Sequence, residues 1–213
     1  MIVQRIPVGP LECNCYLVGC ETTREALIID PGDEVDVLCQ CLQDENLALK
    51  TIFCTHAHFD HVGGLAELKK RTGVRAFLHA LDAPLYQNLA EQAAWLGLAT
   101  PSIAEIDAYY QGGEEIQFGN LRGKILHTPG HSPGSSCLWI DEGAPTLFCG
   151  DTLFQGSIGR TDLWGGSYQE LLQSLQTTIL PLPDATRIYP GHGPACKLAE
   201  EKKSNPFLQG EKG

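Results

Sequence analysis

No stretch of this sequence approaches the ~20 consecutive apolar residues that a membrane-spanning helix needs, and no run of Lys or Arg exceeds three. With a formal net charge of −11, nucleic acid and anionic membrane surfaces are poor partners, because their phosphates would be repelled. The N-terminal "MIVQRIPVGPLECNCYLVG" has one Arg and no long apolar run ending in a small-residue cleavage site. It reads as a first strand rather than a secretory leader. The nine cysteines include no C-x-x-C pair, the usual spacing of structural zinc and dithiol redox sites. They are expected as free thiols in a reducing, cytoplasmic setting. Cys13 and Cys15, two apart on a strand, share a face and are expected in the core, whereas Cys39 and Cys41 diverge around a helix. Low-complexity segments and internal repeats are also missing.

What is present is the composition of a globular chain. Hydrophobic residues make up 43% and charged residues 19%, which excludes a disordered chain. The length, 213 residues, suits one domain over 1–213. "IVQRIPVG", "CNCYLVG" and "EALIIDPG" predict three strands, the last stopped by Asp30-Pro31-Gly32. "DEVDVLCQCLQDENL" predicts an amphipathic helix with Val35, Leu38, Cys41 and Leu42 on one face. "TIFCTH" is a strand, "LAELKKRTG" a helix closed by Gly73, and "VRAFLHA" a strand. Residues 81–110 then interrupt the alternation as a helical insertion, read as a packed surface helix or as a lid or pocket wall. The second half is strand-rich ("EEIQFG", "LRGKILHTPG", "SSCLWIDE", "PTLFCGD"), with a helix in "SYQELLQSLQTTIL" and a last strand in "TRIYPGH". Ser204 to Gly213 reads as a polar tail that frays.

The chemistry concentrates in "THAHFDHVGG". In an extended segment His56 and His58 project to the same side; the chain then turns and brings Asp60 and His61 round from another direction. Gly63 and Gly64 are expected to let the backbone turn tightly without a side chain entering the site. One segment can thus surround two points in space, enough for two metals sharing a ligand. Three further candidates stand in loops after strands beside Gly or Pro: His131 in "HTPGHSPG", Asp151 in "LFCGDTLF" and His192 in "IYPGHGP". His79 and His127 are read as hydrogen-bonded scaffold residues, with His127 able to support His131. The donors are nitrogen and oxygen only, which suits Zn, Fe or Mn, and two such ions make hydrolysis the natural chemistry.

The run Thr55-His56-Ala57-His58-Phe59-Asp60-His61 resembles the T-H-x-H-x-D-H signature of the metallo-β-lactamase superfamily. "LIIDPGD", "HTPGHSPGS", "FCGDTLF", "GSIGRTDLWGG" and "YPGHGP" follow in that superfamily's order. Within it the chain is similar to the small glyoxalase II-like hydrolases, relatives of hydroxyacylglutathione hydrolase. The resemblance implies an α/β fold, an αβ/βα sandwich of two mixed β-sheets flanked by helices. It implies one metal on His56, His58 and His131 and a second on Asp60, His61 and His192, with Asp151 bridging. The ions would be Zn, or Fe or a mixed Fe/Zn pair. Asp30 would orient the metal-binding loop, and Asp60 would assist proton handling while ligating. The implied substrate is a small-molecule thioester such as S-lactoylglutathione, whose thiolate leaves without strong acid help.

Departures from the glyoxalase II pattern are visible. The chain ends about 20 residues after His192, so the C-terminal helical domain that helps grip glutathione in that family is not expected. Arg160 stands near the family's lysine, Asp162 near its tyrosine, and Pro194 replaces a further tyrosine. Arg160 can pair a substrate carboxylate bidentately or form an ion pair with Asp162. The rival within the superfamily is a persulfide dioxygenase with one iron on His56, His131 and Asp151. A β-lactamase is disfavoured for want of an export signal, and a nuclease by the net charge. A non-catalytic, metal-stabilised module is the reading from outside enzymology.

Overall fold

A computed structural model describes residues 1–209 of the chain. The described residues form two compact units, one of residues 1–111 with 117–121, the other of 112–116 with 122–209. In the first unit the strands are β1 (Ile2–Val8), β2 (Cys13–Gly19), β3 (Glu25–Ile29), β4 (Ala48–Phe53), β5 (Arg75–His79) and β6 (Ala108–Tyr110). They lie side by side in that order. The pairs β1/β2 and β2/β3 are antiparallel, as short turns allow. The pairs β3/β4, β4/β5 and β5/β6 are parallel.

Helices supply the parallel crossovers: α1 (Val35–Asp44) between β3 and β4, and α2 (Phe59–Val62) with α3 (Leu65–Thr72) between β4 and β5. Between β5 and β6 come α4 (Ala83–Gln87) and α5 (Leu89–Trp95). Helix α1 buries Val35, Leu38 and Leu42, while Cys41, expected on the same face, is only half-buried. Helix α3 buries Leu65 and Leu68, carries Lys69–Arg71 in its last turn, and stops where Gly73 enters the left-handed region at φ 66. Strand β2 is buried along its whole length, with Cys13 and Cys15 in the core as expected.

Parallel pairing has a consequence for function. Strands β3, β4 and β5 end at the same edge, so the loops that begin at Asp30, Cys54 and Ala80 emerge together. Loops at the carboxyl ends of parallel strands are where α/β folds place their chemistry.

The second sheet has the order β14-β13-β10-β9-β8-β7, with β7 (Glu115–Phe118), β8 (Leu121–His127), β9 (Ser136–Ile140), β10 (Thr146–Gly150), β13 (Arg187–Pro190) and β14 (Cys196–Lys197). A two-stranded ribbon, β11 (Leu153–Phe154) with β12 (Ser157–Ile158), follows β10. Helix α6 (Tyr168–Ser174) is capped by Ser167, whose hydroxyl accepts the Glu170 N–H. It runs on through a wider turn to Ile179. Strand β9 is antiparallel to both β8 and β10, and β10 is parallel to β13. Therefore β8, β10 and β13 run the same way and finish at one edge.

Helix α7 (Leu198–Ser204) closes the description, a helix that the sequence pattern did not suggest. Buried Glu201 on it accepts the Gly156 N–H and the Asn205 amide. Asn205 is itself buried and donates to the Phe154 and Ser157 carbonyls. The expected fraying of the polar tail is thus corrected at its start, where buried amide bonds hold the chain; residues 210–213 of that tail lie outside the described residues. Among the described residues no helix is long and apolar enough to cross a membrane.

Candidate metal centre

In the first unit β4 ends at Phe53, and the chain bends at Thr55 and is extended at His58, just N-terminal to the single turn of α2. His56, His58 and His61 are buried. The ring centroids of His56 and His58 lie 4.8 Å apart and those of His56 and His61 4.0 Å apart. His61 Nε2 lies 3.7 Å from an Asp60 carboxylate oxygen.

Asp30 organises this cluster. Its oxygens accept the Thr55 N–H at 2.7 Å, the Thr55 hydroxyl at 2.7 Å and His61 Nδ1 at 2.9 Å. A carboxylate only accepts, so His61 carries its proton on Nδ1 and presents the Nε2 lone pair. The Thr55 hydroxyl spends its one proton on Asp30, so its 3.0 Å contact with His56 Nδ1 is a bond received from the ring. His56 likewise presents Nε2. Asp30 holds this place in the left-handed region, φ 53, where Asp is better tolerated than most side chains.

Gly63 and Gly64 act differently from the sequence expectation, and Gly32 joins them. Gly63 and Gly64 have ordinary helical φ, −61 and −85, so the turn does not require them. What requires them is backbone seated on backbone. A Cβ on Gly32 would fall 1.7 Å from the Asp60 carbonyl oxygen, one on Gly63 2.7 Å from the Gly32 carbonyl oxygen, and one on Gly64 2.8 Å from that of Pro31.

Three features here had no local signal. The Ala57 N–H donates to buried Asp82, and the Gln92 side chain bonds the backbone on both sides of His58. Cys13, expected as a core thiol, is buried but stands beside His61; burial pushes its pKa up to about 12 while His61 pulls the other way. These contacts span dozens of residues, beyond the reach of periodicity.

In the second unit the loop after β8 presents His131, which is buried. Its Nδ1 donates to the Arg160 carbonyl at 2.7 Å, again leaving Nε2 as the lone-pair nitrogen. Gly159 permits that approach, since a Cβ there would lie 1.8 Å from the Asp151 carbonyl oxygen and 3.3 Å from the His131 Cβ. Asp151 follows β10, and His192 follows β13 by way of Gly191, whose N–H bonds the Gly150 carbonyl. One Asp151 oxygen lies 3.5 Å from His131 Nε2 and 3.8 Å from His192 Nε2. The Phe154 ring stands edge-on to His192, at 6.5 Å.

These donors fit a divalent ion. The spacings of 3.5, 3.7 and 3.8 Å exceed a hydrogen bond. They approach the ~3.4 Å that separates two ligand atoms each about 2.1 Å from one tetrahedral ion.

The Arg160 guanidinium makes a bidentate, exposed pair with Asp162, at 2.7 and 2.9 Å, which holds the Asp162 carboxyl down to about 2. His79 is fixed by Leu81 N–H and the Gln111 carbonyl, and His127 donates to the Pro133 carbonyl in the His131 loop. Both are scaffold histidines, as read from the sequence.

The metallo-β-lactamase superfamily pattern matches residues 8–192. The chain belongs to the metallo-β-lactamase superfamily. Its fold is the metallo-β-lactamase fold, two mixed β-sheets flanked by helices. The chain is 40% identical to the hydroxyacylglutathione hydrolase GloC of Haemophilus influenzae over 210 residues, 98% of each. Among solved structures it is similar to the BLEG-1 B3 metallo-β-lactamase (36% identity, TM-score 0.92, covering 98% of this chain and 100% of that one). It is also similar to TTHA1623 in a di-iron-bound form (43%, 0.88, 97% and 100%) and to ETHE1 from Myxococcus xanthus (29%, 0.84, 100% and 86%). This metallo-β-lactamase superfamily chain is thus a hydrolase-like enzyme with groups of metal-capable side chains in both units.

Proposed function

We propose that the chain is a metal-dependent thioester hydrolase of the glyoxalase II type, acting on a small molecule such as S-lactoylglutathione. One ion would be held by His56, His58 and His131, a second by Asp60, His61 and His192, with Asp151 shared. Zinc or iron suits these donors. The observation that carries the reading is the convergence of two imidazole Nε2 atoms on one Asp151 oxygen, repeated by His61 and Asp60. Support comes from the full-length similarity to a hydroxyacylglutathione hydrolase and from a di-iron-bound structure at 43% identity.

When bound, such ions supply Lewis acidity toward a carbonyl and make water nucleophilic near neutral pH. The chain's own groups hold the donors still. Asp30 and Thr55 fix the tautomers of His61 and His56, and the Arg160 carbonyl fixes that of His131. Asp60 stands next to His61 as the carboxylate able to take a proton during turnover. A thiolate, with a parent pKa of about 8.5, departs without a strong acid behind it. Arg160 would bind a substrate carboxylate by exchanging it for Asp162 across the same bidentate geometry. Nine free thiols suit a reducing cytoplasm.

A second reading is favoured by the similarity to ETHE1: a persulfide dioxygenase with one iron on His56, His131 and Asp151. The deciding experiment is metal content per chain on anaerobically purified protein, with thioester hydrolysis and oxygen uptake followed on the same sample. Two metals with thiol release support the hydrolase. One iron, with oxygen consumed on glutathione persulfide, replaces it by the dioxygenase.

A further inference from the structure

Helix α5 reaches the backbone of the histidine loop through the Gln92 side chain. Gln92 Oε1 accepts the Phe59 N–H at 2.9 Å, and Gln92 Nε2 donates to the Ala57 carbonyl at 3.2 Å and to the Leu85 carbonyl at 2.9 Å. The two loop bonds flank His58. Accepting from the N–H of one residue while donating to the C=O of the residue two before it is what the C=O and N–H of a single residue of a neighbouring parallel strand do. The Gln92 carboxamide therefore stands in for a strand that the sheet does not provide here. It meets a backbone that is extended at His58, with φ −71 and ψ 147. The Ala57 N–H, on the other side, is taken by the buried Asp82 carboxylate at 3.0 Å. His56 and His61 are held through their rings by Thr55 and Asp30, whereas this clamp acts on the peptide backbone around His58.

We infer that Gln92 is the positioning residue for His58: its side-chain amide holds the Ala57 carbonyl and the Phe59 N–H and so locks the extended backbone at His58 that aims the imidazole at a metal, so that metal affinity depends on a residue of α5 that acts through backbone hydrogen bonds. The inference rests on the reading of His58 as a metal ligand. It requires both halves of the amide. A glutamate of the same shape keeps the Phe59 bond but sets a carboxylate against the Ala57 and Leu85 carbonyls.

The test compares wild type, Gln92→Ala and Gln92→Glu, each stripped of metal, then titrated with Co(II) or Zn(II) against a competing chelator. Thermal unfolding of each metal-free form is followed in parallel. Outer support of a ligating histidine is typically worth about 10–100-fold in metal affinity. Both variants are expected to lose affinity in that range, to show an altered Co(II) ligand-field spectrum, and to lose less metal-free stability than the affinity loss corresponds to. Wild-type affinity and spectrum in Gln92→Glu would overturn the inference. So would a loss in both variants matched by an equal loss of metal-free stability, because Gln92 would then be packing α5 and nothing more. Wild-type protein that binds no metal would instead remove the metal reading itself, so the two failures are distinct.

Discussion

Replacing Asp30 by Asn keeps the size of the side chain and its tolerance of φ 53, yet changes what two histidines can do. The carboxylate takes bonds from the Thr55 N–H, the Thr55 hydroxyl and His61 Nδ1. An amide has one acceptor oxygen. If that oxygen keeps the Thr55 N–H, its NH2 faces the hydroxyl and the ring, which must both become acceptors. His61 then moves its proton to Nε2. The Thr55 hydroxyl swings its proton toward His56 Nδ1, and His56 also becomes protonated on Nε2. One substitution in the fold thus removes two lone pairs from the centre. For the metal-free fold, three charge-assisted bonds become neutral ones at about 1 kcal/mol apiece. Cheaper burial of a neutral amide offsets part of this, leaving a net loss of roughly 1–2 kcal/mol. Metal affinity should fall more steeply, by about 100-fold or more, since single supports of one ligand are worth about 10–100-fold. Chelator competition gives the affinity and urea unfolding of the metal-free protein gives the stability. Asp30→Asn protein with unchanged metal affinity would refute the tautomer argument, because the rings would then not depend on what Asp30 accepts.

Gly32→Ala should cost about 3 kcal/mol or more, from a Cβ placed 1.7 Å from the Asp60 carbonyl oxygen. Gly73→Ala, left-handed but in open space, should cost about 1 kcal/mol; equal losses in urea unfolding would contradict the backbone seam. Arg160→Ala should leave metal affinity unchanged, since His131 is held by the residue-160 carbonyl, while raising KM for carboxylate-bearing thioesters; lost metal would show that the side chain supports the loop. Chelation should lower the unfolding temperature and metal should restore it, ions at a hundred times their Kd being worth about 2.7 kcal/mol; identical melting curves would count against a structured ion site. Burial raises the thiols of Cys15, Cys54 and Cys149 well above the ordinary 9.0 and that of Cys137 to about 11. A raised pKa in the fold means that stability is intact below pH 9 and is lost as pH rises through the folded values, so urea stability under reductant should fall from pH 9 toward 11. A flat profile would mean that these thiols ionise in place.

The sequence was most legible where the determinant is local. Short apolar runs bounded by Gly and polar turns located β2 and β10, a helical run closed by Gly73 located α3, and the strand-end positions of His131, Asp151 and His192 marked residues that the parallel strands do gather at one edge. Illegible were contacts made by one side chain to a distant backbone. Asp82 and Gln92 look like ordinary polar residues in a helical stretch, and the bonds they make to Ala57 and Phe59 span 25, 33 and 35 residues. Gly63 and Gly64 were noticed, but for a reason of dihedral freedom, whereas the fold uses them for close approach. The Pro31–Gly32 backbone that fills their missing side-chain space lies some thirty residues earlier in the chain. Strand β14 and helix α7 depend on tertiary partners such as Glu201 and Asn205 rather than on strong patterns of their own.

The bond between His131 and the carbonyl of residue 160 bears on how such a protein diversifies. A carbonyl belongs to every amino acid, so the codon for residue 160 can be rewritten with the histidine still anchored. The exposed guanidinium and its Asp162 partner form a pair open to drift or selection, next to a histidine whose place is fixed by backbone. Gly159, by contrast, is locked, because a Cβ there would fall 1.8 Å from the Asp151 carbonyl oxygen. Adjacent codons would therefore record opposite histories, one invariant and one freely sampled, and a lineage could acquire new substrates at the second without first disturbing the buried histidine.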